Sequence, residues 1–218
     1  IEFPHLLNLI KNTLFDTIYH EHFSYLSLIT TKKIVSKFGL KIFNIQQIKT
    51  HGGSLRVFLC HNHSSRKVYK SVNQFLLKEK KFGLLKISTY DNFQKKVKKI
   101  QSNLIKFLKK IEKNKKTIVA YGAAAKGNTL LNSIGATNNQ IKFVCDDAKS
   151  KQGKFMPGSL IPIVNKKKLL TTKPDIILIL PWNLSEEVAL SLRHTKQWKC
   201  KLYTAVPKLK KINKYDIY

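Results

Sequence analysis

From residue 117 onward the chain alternates short apolar runs with helical stretches, and few architectures accommodate that order. Thr117-Ile118-Val119-Ala120-Tyr121 has the length and composition of a buried strand, and a Gly-Ala loop and a helix follow it. Ile141-Lys142-Phe143-Val144-Cys145 forms a second apolar run and Ile161-Pro162-Ile163 a short third. Asp175-Ile176-Ile177-Leu178-Ile179-Leu180 is another, followed by a helical stretch over 184–194, and Lys201-Leu202-Tyr203-Thr204 ends the series. Strands that are apolar along their whole length and separated by helices predict a parallel sheet covered on both faces.

Upstream the pattern differs. Leu6, Leu7, Leu9 and Ile10 predict a helix over 4–12 with Pro4 in its first turn. Thr30 or Thr31 is placed to cap a helix over 31–38 that Gly39 closes. The runs 40–45 and 54–60, joined by Lys49-Thr50-His51-Gly52-Gly53, predict an antiparallel hairpin. Residues 65–114 are helical in pattern, and Gly83 and Ser88-Thr89 split them into two helices. The expected organisation is an opening part over 1–63, a helical connector over 64–114 and a compact α/β domain over 115–218.

The formal charge of +29 points toward nucleic acid at first sight. Of the 41 basic residues, however, only Arg56, Arg66 and Arg193 are arginine, the residue suited to bidentate base and phosphate contacts. The lysines lie along helical faces, as in Lys95-Lys96, Lys98-Lys99 and Lys109-Lys110. A solvated surface is expected, with loose attraction to polyanions and no specific nucleic-acid partner. Cys60, Cys145 and Cys200 lie far apart in apolar runs, which predicts reduced core thiols of a cytoplasmic protein. No run has the length of a membrane span. The chain starts at Ile1 and its only methionine is Met156, so a fragment lacking an N-terminal portion is expected.

Four clusters could carry chemistry. Tyr19-His20-Glu21-His22 gathers two imidazoles, a carboxylate and a phenol, a set able to move protons near neutral pH. Read as an extended segment, it puts Tyr19 and Glu21 on one side and His20 and His22 on the other. The same run also suits a surface loop, or a satisfied core pair beside Phe23 and Tyr25. Tyr121-Gly122-Ala123-Ala124-Ala125-Lys126-Gly127-Asn128 joins a strand to a helix, and its small residues and the helix N-terminus suit a phosphate or pyrophosphate. It satisfies neither the P-loop nor the dinucleotide pattern. Asp146, ending the next strand, stands where an acid often meets a ribose hydroxyl. His51-Gly52-Gly53-Ser54-Leu55-Arg56 could bind an anion through Ser54 and Arg56, or be a bare turn. Asn183 follows a strand end, where it could face ligand or cap a helix. Cys60 and His63 lack the further ligands a metal needs, so no metal is expected.

Taken in order with Glu2-Phe3-Pro4, Gln152-Gly153-x-x-Met156-Pro157-Gly158 and Leu180-Pro181-Trp182-Asn183, these clusters resemble the S-adenosylmethionine-dependent C-methyltransferases acting on nucleotide-linked deoxy-keto-sugars. The resemblance spans nearly the whole chain. It implies the tail of a class I methyltransferase domain carrying the hairpin, followed by the Rossmann-like domain. The family's zinc cysteines and Gly-rich cofactor loop have no counterpart here, so zinc and most of the S-adenosylmethionine contacts are expected in a preceding portion. By resemblance His22 is the base, Tyr19 polarises the ketone, and Glu21 and His20 orient them. His51, Ser54 and Arg56 would line the sugar or phosphate side, with Lys126, Asn128, Asp146 and Asn183 toward the nucleotide. Two other readings remain open: a nucleotide-sugar binding module without catalysis, and a basic nucleic-acid-binding protein.

Overall fold

The computed structural model describes residues 1–212, with the side chain of His51 outside that description. Contacts divide the chain into two compact units. The first comprises Ile1–Phe15 and His20–Lys96, the second Asp16–Tyr19 and Val97–Tyr218.

The first unit is built on three antiparallel strands in the order β1-β3-β2. These are β1 (Glu2–Pro4), β2 (Leu40–Ile48) and β3 (Ser54–His61). The expected hairpin is β2–β3, with Ile48 paired to Ser54 and Leu40 to His61. The edge strand β1 has no alternating pattern of its own, since three residues are too few to show one. The helices are α1 (Leu6–Lys11), α2 (Leu28–Ser36), α3 (Lys70–Phe82) and the start of α4 (Ile87–Lys113). The α2 helix begins earlier than Thr30 because Ser27 caps it, its Oγ accepting the Thr30 N–H at 3.1 Å. Gly83 ends α3 with a left-handed φ of +92°. Phe3, Leu28, Val35, Ile42, Leu55, Val57, Val72 and Phe75 form the core.

The second unit holds a six-stranded sheet ordered β6-β5-β4-β7-β8-β9, parallel except for β9. The strands are β4 (Ile118–Tyr121), β5 (Val144–Cys145), β6 (Ile163–Val164), β7 (Ile176–Ile179), β8 (Lys201–Thr204) and β9 (Lys210–Ile212). Its helices after α4 are α5 (Ala125–Ser133), α6 (Lys168–Thr172) and α7 (Ser185–Ser191). Every residue of β4 and β7 is buried, as strands covered on both faces require. The run from Ile141 is regular strand only at Val144–Cys145, although Phe143 already accepts the Ala120 N–H at 2.9 Å. Counted within this unit, the strand order runs 3-2-1-4-5-6, the doubly wound order whose connections diverge between β4 and β7. Val119, Tyr121, Phe143, Cys145, Ile177, Ile179 and Leu202 pack with Val188 and Leu192 to form the core under the helices.

Candidate functional site

The divergence point favours ligand approach at the carboxyl ends of β4 and β7, because the connections leaving them there run on to opposite sides of the sheet. The loop after β4 turns at Gly122, whose φ is +93° and where a Cβ would stand 2.5 Å from Pro181 Cδ. Gly127, one turn on, would place a Cβ 2.7 Å from Leu180 Cδ1. Both glycines let the two loops close on each other. Asp146 then pins the loop from the end of β5. Its Oδ2 accepts the Ala123 N–H at 2.7 Å and its Oδ1 the Ala148 N–H at 2.9 Å. Lys151 Nζ reaches both Ala123 O at 2.9 Å and Asp146 Oδ2 at 3.5 Å. No side chain caps α5 at Ala124, and helix geometry leaves its first N–H groups without intrahelical partners. An anion is the natural complement of that end.

Charged and aromatic groups cluster beside it. Lys126 is only 9% exposed, and its ammonium lies 4.8 Å from the centre of the Trp182 ring and 3.2 Å from Asn183 Oδ1. Trp182 Nε1–H donates to Asp16 Oδ2 at 2.7 Å. Asp16 is fully buried, and its Oδ1 has no hydrogen-bond partner. Burial drives the Asp16 carboxyl up from 3.8 to about 6, against the opposing pull of Trp182 and Lys126. Burial likewise lowers Lys126, while the Asp16 charge partly restores it. Asn128 Oδ1 is a second buried acceptor without a partner. On the β5 side, Tyr121 OH donates to Asp147 Oδ2 at 2.7 Å. Burial and then Asp147 push the phenol up, and that hydrogen bond holds the Asp147 carboxyl down.

Lys126 and Asn183 are thus brought together, and Asn183 accepts from Lys126. Asp16 and Trp182 were not among the sequence-based candidates. Asp16 did carry a signal, being an acid set after Leu14-Phe15 in a chain with only 12 acids.

Tyr19-His20-Glu21-His22 is a turn, with His20 and Glu21 at its apex. The alternating-face geometry of an extended segment therefore does not hold. His20 and Glu21 are exposed, whereas Tyr19 and His22 are half-buried. Tyr19 packs with the second unit and the other three with the first.

In the first unit Arg56 is engaged by Glu2, with Nη2 and Nε at 2.9 and 3.1 Å from Oε2. Ser54 is buried and donates to Thr50 O at 3.2 Å. The His51 side chain lies outside the described residues. The same unit contains a buried polar knot absent from the sequence-based candidates. Glu79 accepts the Leu28 N–H at 2.6 Å, the Ile29 N–H at 2.8 Å and a contact from His5 Nε2 at 2.6 Å, capping α2 from α3. Its signal was a carboxylate on the stripe set by Val72 and Phe75.

His61 and His63 stack at 5.3 Å, and among the described residues no group of three or more metal-ligating side chains occurs. A zinc ion therefore has no ligand set among them. Nor does the loop after β4 fit a sulfonium donor, because the Lys126 ammonium and the helix N-terminus both present positive charge. Among the described residues no helix is long and apolar enough to cross a membrane.

Residues 49–207 match the family model described as the C-methyltransferase C-terminal domain. Over 188 residues the chain is 34% identical to the C-methyltransferase NovU of Streptomyces niveus, which takes in 86% of this chain and 45% of that protein. The chain thus spans less than half the length of the curated relative it matches.

Proposed function

The chain belongs to the C-methyltransferase family through its C-terminal domain, and on that premise we propose that it serves methyl transfer to a carbon beside the ketone of a nucleotide-linked deoxy sugar. S-adenosylmethionine is the methyl donor in this reading. The observation that carries the reading is the uncapped start of α5 with Lys126 buried against Trp182, at the divergence point of a doubly wound sheet. That arrangement suits the diphosphate of a sugar nucleotide. Lys126 and the first N–H groups of α5 take the phosphates, Asn183 holds the ammonium in place, and Asn128 offers an unused acceptor to the nucleoside. Asp146 shapes the loop by accepting the Ala123 N–H, and in this reading the strand end it follows takes the ribose.

The chemistry requires a carbon beside a carbonyl to lose a proton. His22 takes that proton, and the bond electrons move into an enolate. Tyr19 donates a hydrogen bond to the developing oxyanion. His20 and Glu21, at the apex of the turn, orient the imidazole and phenol. A positioned base contributes roughly 10² to 10⁴ in rate. In the full protein, His22→Ala is expected to lower kcat for methyl transfer by at least that lower factor, with KM for the sugar nucleotide nearly unchanged. Undiminished turnover would overturn the assignment.

A further inference from the structure

The second unit has another concavity, at the opposite edge of its sheet. Strands β4, β7 and β8 run parallel, with Ile118 paired to Ile176 and Ile176 to Lys201. Their amino ends therefore share one edge, where Lys116, Asp175 and Lys201 stand. The loop after β4 leaves from the other edge. Four strand residues at ~3.3 Å each separate the two edges by ~10 Å or more. A cavity of about 770 Å³ opens at the amino edge, within the ~300–1,000 Å³ range of small-molecule sites.

Its walls are of two kinds. Phe107 on α4 and Tyr203 on β8 pack at 4.8 Å between ring centres, tilted by 48°. Trp198 stands with them, and its Nε1–H donates to Pro174 O at 3.1 Å, so the indole has its polar partner and offers a fixed apolar face. The other wall is cationic: Lys110, Lys116, Lys199 and Lys201 line the cavity. Among the described residues Asp175 is the one acid in the lining, and its Oδ2 accepts the Thr117 N–H at 2.8 Å. Elsewhere on α4 the lysines, Lys95, Lys96, Lys98 and Lys99 among them, are exposed. Here lysines rim a hollow with aromatic walls, and a flat ring bearing negative charge complements both.

We propose that this amino-edge cavity is a second ligand site, separate from the loop after β4, and that it takes an aromatic anion of the nucleoside-phosphate class. The ring packs against Trp198 and the Phe107–Tyr203 pair, and the phosphates meet the lysines. Neither inorganic phosphate alone nor a neutral nucleoside uses both walls.

The chain has two tryptophans, one beside each edge of the sheet. The Trp182→Phe variant leaves Trp198 as sole reporter of the amino-edge cavity, and Trp198→Phe leaves Trp182 to report the loop after β4. Adenosine diphosphate is titrated into each, alongside adenosine and pyrophosphate. The expected result is saturable quenching of Trp198 by the diphosphate, with adenosine and pyrophosphate each at least tenfold weaker. The double variant Lys199→Gln, Lys201→Gln in the Trp182→Phe background should weaken that binding at least tenfold with an unchanged circular dichroism spectrum. Lys126→Ala should leave it unaltered. No Trp198 response up to millimolar diphosphate, an equal response to adenosine, or indifference to the lysine pair would each overturn the proposal. A response confined to Trp182 would also overturn it, while leaving the proposed sugar-nucleotide site intact.

Discussion

Asp16 makes a quantitative test possible, because its carboxyl is displaced by burial in a structure where the opposing forces can be named. Trp182 donates to one oxygen at 2.7 Å and Lys126 supplies a positive field, yet the desolvation of a fully buried carboxylate prevails. The carboxyl moves from 3.8 to about 6. About two pKa units at 1.36 kcal/mol each amount to about 3 kcal/mol. Between these two values the folded protein holds the Asp16 proton more tightly than the unfolded chain does. The unfolded state then binds fewer protons, and the contribution of this group to stability falls as pH rises. It is fully present below about pH 4 and lost above about pH 6. Asp16→Asn keeps the shape and an acceptor for Trp182 but removes the titration. Both proteins carry Trp198→Phe, and urea unfolding is followed through Trp182 emission at several pH values. The difference in stability between the two proteins isolates this one group, since distant carboxylates contribute equally to both and cancel. That difference should move by about 3 kcal/mol against the Asp16 protein between pH 4 and pH 7. A difference that stays flat, or moves the other way, would refute the claim that desolvation governs this carboxyl.

Three further outcomes follow from the geometry. Glu79→Ala strips the cap from α2 and leaves the Leu28 and Ile29 N–H groups and His5 without their acceptor, so thermal unfolding of the first unit should show a loss of about 3–5 kcal/mol. Gly127→Val drives side-chain atoms into Leu180, where even a Cβ would stand at 2.7 Å. It should abolish sugar-nucleotide quenching of Trp182 in the Trp198→Phe background, whereas Gly135→Ala, which meets no atom within 4 Å and strains only its own φ of +62°, should leave that quenching in place. Lys126→Met keeps much of the side-chain bulk on the Trp182 ring and removes the charge. It should weaken nucleoside-diphosphate binding at this loop more than tenfold, read through Trp182 in the Trp198→Phe background, and shift Trp182 emission even without ligand.

The sheet of the second unit was legible because β4 and β7 are apolar along their length and each is followed by turn residues, Gly122 and Pro181. Strands β1 and β9 were not, because each is a three-residue edge segment that depends on pairing with a neighbour. The start of α2 lies ahead of both threonines because Ser27, a few residues earlier, supplies the capping oxygen, and three closely spaced hydroxyl residues leave the cap ambiguous in sequence. Of the candidate site, Lys126, Asn128 and Asn183 stood out because they flank strand ends. Asp16 is 166 residues from Trp182 in the chain, and no local pattern links an isolated acid to a distant indole. The turn at Tyr19-His20-Glu21-His22 is hidden in sequence because it lacks the glycine or proline that usually marks a reversal.

Proton removal from the sugar can be followed without methyl transfer. The full protein is incubated in heavy water with a nucleotide-linked deoxy sugar bearing a ketone, and the hydrogens on the carbons beside that ketone are followed by NMR. If His22 is the base, deuterium enters at one such carbon far faster with the wild-type protein than with His22→Ala, while both bind the sugar nucleotide equally. Exchange at an unchanged rate in the His22→Ala protein would contradict it.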